Sequence, residues 1–206
     1  MTHTIDFLRL LVCGAALLPA LTTAQTAAPA RAAACVACHG PNGNSTQTQY
    51  PILAGQTSRY LYLQLRDYQE GRRSDPQMSP MVKDVPRDEL RELADYFAAQ
   101  KVVSPRAGEP LQAAKGKEIF ENGLPTQAIP PCKSCHGEQG QGMDGVAPRV
   151  AQQHADYIVK QLQVFKRTDQ RPEGAVMKVI AHGLETENME NAAQYLQGMT
   201  ASSPAR

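Results

Sequence analysis

Two cysteines separated by two residues, with a histidine directly after the second, occur twice in this chain: "CVACHG" from residue 35 and "CKSCHG" from residue 132. The 97-residue offset between them recurs beyond the motifs themselves. Shifted by 97, Gly43 falls on Gly140, Pro51 on Pro148, and Tyr60, Gln64 and Leu65 on Tyr157, Gln161 and Leu162. With two residues inserted in the second copy, Met78 falls on Met177, Val85 on Leu184, Ala94 on Ala193 and Tyr96 on Tyr195. Matches in this order indicate the duplication of one unit. The fold is therefore one that a short stretch of chain builds twice.

The limits of the two units follow from what surrounds them. Residues 1–24 carry Arg9 ahead of an apolar run over 10–21 and end on the small residues "LTTA". This pattern reads as an export signal cleaved after Ala24. Pro19 and the shortness of the run argue against a membrane span. Cys13 leaves with the signal, and the four remaining cysteines all lie in the two motifs. The first unit is expected over residues 25–101 and the second over 112–206. The joint between them, 102–111, holds Pro105, Gly108 and Pro110, which disfavour helix. The mature protein is expected to be soluble in the periplasm, with at most peripheral membrane association.

Each unit reads as helical, and no alternating apolar run suggests a sheet. In "SRYLYLQLRDYQEG", Tyr60, Leu61, Leu63, Leu65 and Tyr68 recur along the segment, with Ser58 expected as N-cap and Gly71 as terminator. "ADYIVKQLQVFKR" repeats the pattern with Tyr157, Ile158, Leu162 and Phe165. A closing helix puts Leu90, Leu93, Ala94 and Phe97 on one face, copied by Met189, Ala192, Ala193 and Leu196. Aromatic residues make up only 5% of the chain and Trp is absent, so side chains alone make a thin core for two small domains. Something else is expected in the interior. The 21 Lys and Arg nearly balance the 20 Asp and Glu, which gives no electrostatic case for a nucleic-acid partner.

Three chemistries use closely spaced cysteines. A thioredoxin-like redox pair wants a βαβ setting, which is absent. A zinc site built from both pairs would need them far closer in sequence. Covalent haem attachment fits: the thiols Cys35 and Cys38, and Cys132 and Cys135, add to the two vinyl groups of one haem each, with His39 and His136 as axial ligands. Pro51 and Pro148 each follow the ligand histidine by twelve residues. A backbone carbonyl there is placed to accept the histidine's Nδ1 proton and strengthen it as a donor. The sixth ligand is expected to be a methionine, whose soft thioether raises the potential of haem iron. Met177 precedes Leu184 by seven residues and Met78 precedes Val85 by seven, so register selects Met78 over Met81. His154 aligns with Thr57, so the repeated unit requires no imidazole there. It and His182 are expected at the surface.

With CHGxxG, "YPILAGQ", the Tyr-x-x-x-Gln-Leu helix, the Met loop and the closing "LADYF" helix, each unit resembles a class I cytochrome c domain. Two in tandem resemble the dihaem cytochrome c4 family. The resemblance implies an all-α fold of two haem-wrapped domains related by a pseudo-twofold axis, with haem propionates near their interface. It implies two covalently bound c-type haems, ligated by His39 with Met78 and by His136 with Met177. It also implies a periplasmic electron carrier, not an enzyme, whose partners are redox proteins: a quinol-oxidising complex, a terminal oxidase or a dehydrogenase. Two departures stand out. The second unit has the expected opening helix with Gly and an aromatic in "GKEIF", whereas the first has only "QTAAPARAAA", so a short first helix is expected there. The Ser that normally caps the closing helix is replaced by Pro86 and Glu185.

Two irons saturated by protein ligands leave no position for a substrate, which favours electron transfer over catalysis. The alternatives are a cytochrome subunit of a periplasmic dehydrogenase and, further off, a dihaem peroxidase with one exchangeable iron. A methionine at the same register in both units argues against the peroxidase. A haem-based sensor would need an output domain, and none is visible.

Overall fold

A computed structural model describes residues 27–103, 107–167, 171 and 174–200. The export signal, its cleavage site and residues 201–206 of the second unit lie outside the described residues. Helices account for the regular structure. The first unit holds α1 (Ala32–His39), α2 (Ser58–Gln69), α3 (Met78–Val82) and α4 (Arg87–Ala98). The second holds α5 (Pro110–Asn122), α6 (Lys133–His136), α7 (Ala155–Arg167), α8 (Ala175–Gly183) and α9 (Thr186–Gly198). Strand pairing among the described residues is confined to two isolated bridges, Leu124 with Ile129 and Met143 with Ala147.

The apolar stripes read from the sequence are the ones that pack. Leu90, Leu93, Ala94 and Phe97 of α4 are all buried, and they meet Leu61 and Tyr68 of α2 in one cluster that also takes in Val82 and Val85. In the second unit Met189, Ala192, Ala193 and Leu196 of α9 are buried too. That core divides into two clusters, one around Phe120, Ile158 and Leu196 and the other around Ile129, Phe165, Leu184 and Met189. Val85 and Leu184, the register partners, are each 5% exposed.

The helix ends differ in detail from expectation. Thr57, not Ser58, caps α2: its hydroxyl accepts from the Tyr60 amide at 3.3 Å. Ser58 instead donates to the Asp95 carboxylate on α4. Gly71 lies just past the α2 terminus at φ +73°, a conformation open to glycine. Helices α4 and α9 start at Pro86 and Glu185 without a side-chain cap. Acidic residues in the first turn, Asp88 and Glu89 in α4 and Glu187 in α9, oppose the positive helix ends instead.

The two units open differently. In the second, α5 begins at Pro110, inside the segment expected as linker, because proline is well suited to the first helical position. It crosses α9 so closely that a Cβ on Gly116 would lie 2.0 Å from the Asn191 carbonyl oxygen. In the first unit α1 carries the cysteine motif itself, with no separate helix in residues 27–31. Its start is tied to α4 by an Arg31–Glu89 ion pair at 2.6 Å and by burial of Ala32 against the α4 core.

Candidate functional site

Both cysteine motifs lie on short helices that end at the histidine. Helix α1 terminates at His39 and α6 at His136, and the next residues, Gly40 and Gly137, take φ +73° and +84° to turn the chain away. Within each pair the first thiol is half-buried and the second exposed, and none is in a disulfide. The Cys35 thiol donates to the Arg31 carbonyl and the Cys132 thiol to the Ile119 carbonyl, each at 3.8 Å. Burial raises the pKa of both, that of Cys132 to about 11. These are protonated thiols, the form whose S–H adds across a vinyl double bond.

The histidine rings face inward. His39 is 4% exposed and His136 8%. The Nδ1 of His39 donates to the Pro51 carbonyl at 2.8 Å, and that of His136 to the Pro148 carbonyl at the same distance. Burial lowers both pKa values, and the carbonyl contact opposes that shift in part. The rings are therefore neutral, with the proton on Nδ1 and the lone pair on Nε2. Among the described residues Nε2 has no hydrogen-bond partner in either ring. A neutral imidazole fixed through one nitrogen and open at the other is the form that ligates a metal.

The methionines lie on short helices rather than in loops. Met78 opens α3 and is half-buried against the first core. Asp75 holds this turn by accepting from the Gln77 and Met78 amides at 3.0 and 3.2 Å. Met81, one turn on, is 53% exposed. Met177 lies in the first turn of α8, half-buried against Ile129, Phe165 and Leu184.

Between the units is a buried polar layer that the sequence did not reveal. Arg73 donates to Gln64 of its own unit at 2.5 Å, and to the Tyr157 hydroxyl and Gln161 of the other at 3.0 and 3.1 Å. Arg171 reciprocates, donating to Gln161 at 2.7 Å, to the Tyr60 hydroxyl at 3.1 Å and to Gln64 at 2.8 Å. Each guanidinium also stacks on an aromatic ring, Tyr68 or Phe165. Arg73 is 6% exposed, and no carboxylate lies within ion-pair distance of it among the described residues. A buried cation with neutral partners fits a bound group that brings its own carboxylates, as haem does with its propionates.

His154 departs from expectation. It is 2% exposed, and its Nε2 donates to the Ser45 carbonyl of the first unit at 2.9 Å. The duplicated unit gives no sign of this contact, because polar groups at an interface between two copies need not be duplicated themselves. Thr57, the register partner, serves as a helix cap instead. His182 is exposed, as expected.

The cytochrome c family model matches residues 24–100 and again 113–200. The chain is 38% identical to cytochrome c4 of Thiocapsa roseopersicina over 170 residues, 81% of this chain and 87% of that protein. It is 31% identical to the thiosulfate dehydrogenase electron acceptor of Thiomonas intermedia strain K12, over 91% of this chain and 88% of that protein. Its fold is similar to the crystal structure of reduced recombinant cytochrome c4 from Pseudomonas stutzeri, with a TM-score of 0.79 at 33% identity, covering 82% of this chain and 95% of that one. Cys35 with Cys38 and Cys132 with Cys135 are thus the attachment points of two covalently bound c-type haems. With two such domains in tandem and relatives of this kind over most of its length, the chain belongs to the cytochrome c4 family, whose members transfer electrons.

Proposed function

We propose that this protein is a periplasmic electron carrier whose irons are held by His39 with Met78 and by His136 with Met177. It takes electrons from one redox protein of a respiratory chain and passes them to another, with a terminal oxidase as the acceptor. Each haem supplies a one-electron Fe(III)/Fe(II) couple. The chain's own residues do the rest. The Pro51 and Pro148 carbonyls orient the two imidazoles, and the methionines complete each ligand set so that no position remains for a substrate.

The observation that carries the reading is the matched pair of settings. Each unit has a buried histidine bound through Nδ1 to a proline carbonyl at 2.8 Å, and a half-buried methionine packed on an apolar cluster of the same unit. Export to the periplasm is supported by the signal-like residues 1–24. No helix among the described residues is long and apolar enough to cross a membrane. We take the domains to run over 25–101 and 112–206, with α5 of the second extending two residues back into the joint, to Pro110.

A second reading is favoured by one comparison. The relative from Thiomonas intermedia bears the name of an electron acceptor of a dehydrogenase. On that reading this chain is the cytochrome partner of a periplasmic dehydrogenase, and a stable complex recovered on gentle purification would favour it.

The ligand assignment is tested by substitution. Replacing Met78 or Met177 by Ala should each remove about half of the ferric sulfur-to-iron charge-transfer absorption, as expected for one of two equivalent haem centres. Replacing Met81 should leave it intact. The opposite pattern at Met78 and Met81 would move the first ligand.

A further inference from the structure

Two glutamines cross between the units, and each reaches the same peptide group that holds the other unit's histidine. Gln153 accepts from the Ile52 amide at 2.9 Å through Oε1 and donates to the Ile52 carbonyl at 2.9 Å through Nε2. Gln56 does the same to Arg149: Oε1 accepts from its amide at 2.7 Å and Nε2 donates to its carbonyl at 2.8 Å. The contacts are reciprocal, since the offset of 97 that carries Gln56 onto Gln153 also carries Ile52 onto Arg149. Both glutamines are buried, at 7% and 9% exposure. Each Oε1 also accepts from the next amide of its own chain, Thr57 at 2.9 Å and His154 at 3.0 Å, so the side chains are fixed in place.

The Ile52 N–H and the Pro51 carbonyl belong to one planar peptide group, as do the Arg149 N–H and the Pro148 carbonyl. One continuous path therefore runs from His39 Nδ1 through the Pro51–Ile52 peptide to Gln153. A second runs from His136 Nδ1 through the Pro148–Arg149 peptide to Gln56. A hydrogen bond donated by a peptide N–H pushes electron density onto its carbonyl oxygen, which becomes a better acceptor. The imidazole that donates to that oxygen then becomes the stronger electron donor through Nε2.

We propose that Gln56 and Gln153 are cross-domain positioning residues, each setting the donor strength of the histidine, and so the potential, of the iron in the opposite domain. A stronger imidazole donor favours Fe(III), so both glutamines hold the potentials down. Docking of the two units then matters to the redox chemistry as well as to their separation. This rests on the assignment of His39 and His136 as ligands.

The test is the holoprotein carrying Gln153→Met or Gln56→Met, near-isosteric changes that remove the acceptor. Potentials are read for each haem separately, by NMR-monitored redox titration. Gln153→Met should raise the potential of the first domain's iron and leave the second unmoved, and Gln56→Met should do the converse. With cooperative strengthening of tens of per cent per hydrogen bond, the Fe(II)/Fe(III) ratio at fixed solution potential should rise about twofold, or about 18 mV for a one-electron couple. A shift confined to the domain that carries the substitution, an equal shift in both, or no shift would overturn the proposal. Amide exchange in the unsubstituted holoprotein gives an independent check should a variant not fold. The Ile52 and Arg149 amides should be protected, and rapid exchange at both would also overturn it. Hyperfine-shifted resonances from both histidine rings in the ferric protein test the ligand reading separately. Their absence would remove both proposals, whereas their presence with unmoved potentials would remove only this one.

Discussion

Gly116 sits where α5 crosses α9, and replacing it with alanine tests the packing of the second domain directly. A Cβ there would lie 2.0 Å from the Asn191 carbonyl oxygen, 2.6 Å from its carbon and 2.8 Å from the Tyr195 Cβ. Two of these atoms are backbone, so no rotamer change relieves the contact, and the helices must part by about 1 Å. The face that would open includes Phe120, Ala193 and Leu196, which are 1%, 0% and 6% exposed. Overpacking of this kind costs about 1–3 kcal/mol, and the rigid backbone puts it at the upper end. Alanine returns about 1 kcal/mol through its better helix propensity. The net loss is about 1–2 kcal/mol, which for a domain of this size lowers the melting temperature by about 5–10 °C. The consequence reaches the site, because Phe120 of α5 lies in the apolar cluster against which Cys132 packs. Thermal unfolding of the holoprotein, followed in the Soret band, should show the second domain melting earlier and the first unchanged. A neutral or stabilising Gly116→Ala would refute the close crossing.

Two further outcomes follow from the same structure. A chain with Cys35, Cys38, Cys132 and Cys135 all replaced by Ala, and so without covalent haem, should unfold weakly and without cooperativity. Several hundred Å² of apolar porphyrin surface at about 25 cal/mol per Å² is worth about 10 kcal/mol before ordering costs, comparable to a domain's whole net stability. A sharp calorimetric transition in that chain would contradict this. For His154, burial lowers the pKa below the usual imidazole value, while the Ser45 carbonyl and Asp156 oppose the shift. The neutral ring's contribution is full above the unfolded-state pKa of about 6.5 and is lost as pH falls towards the lower folded value. Wild type should therefore lose stability on acidification faster than His154→Gln, with a limiting slope of about 1.4 kcal/mol per pH unit. Parallel stability curves for the two proteins would show that His154 is not buried neutral.

The parts of the site that were legible in sequence are those fixed by short, rigid spacing. His39 and His136 follow their cysteines directly, and Pro51 and Pro148 each stand twelve residues further on, past the turn that starts at Gly40 or Gly137. The carbonyls found there are the ones expected. The stripes of α4 and α9 were legible because helical periodicity reports which face is buried. What stayed hidden lies between the units. Gln56, Gln153, Arg73 and Arg171 are polar residues outside the helices, and each has an ordinary surface reading until the partner unit is in place. The sequence does carry a signal, since Gln56, Tyr60 and Gln64 recur as Gln153, Tyr157 and Gln161, but a repeated helix and the turn before it account for the same matches. Local competition accounts for the smaller misses. Thr57 and Ser58 are both good caps, and tertiary contact with Asp95 drew Ser58 away from that role. Pro110 reads as a linker residue in sequence because proline breaks helices in their interior, whereas at the first position it starts one.

The central claim is that both irons are saturated by protein ligands, so that the molecule carries electrons and does no chemistry on a substrate. Carbon monoxide added to the fully reduced holoprotein tests it most directly, because the gas binds ferrous haem wherever the sixth position is open or weakly held. The account predicts a Soret spectrum unchanged by the gas at neutral pH, with both methionine-ligated haems intact. Stoichiometric carbon monoxide binding at either haem would contradict it and would point to an exchangeable iron and a catalytic or sensing role.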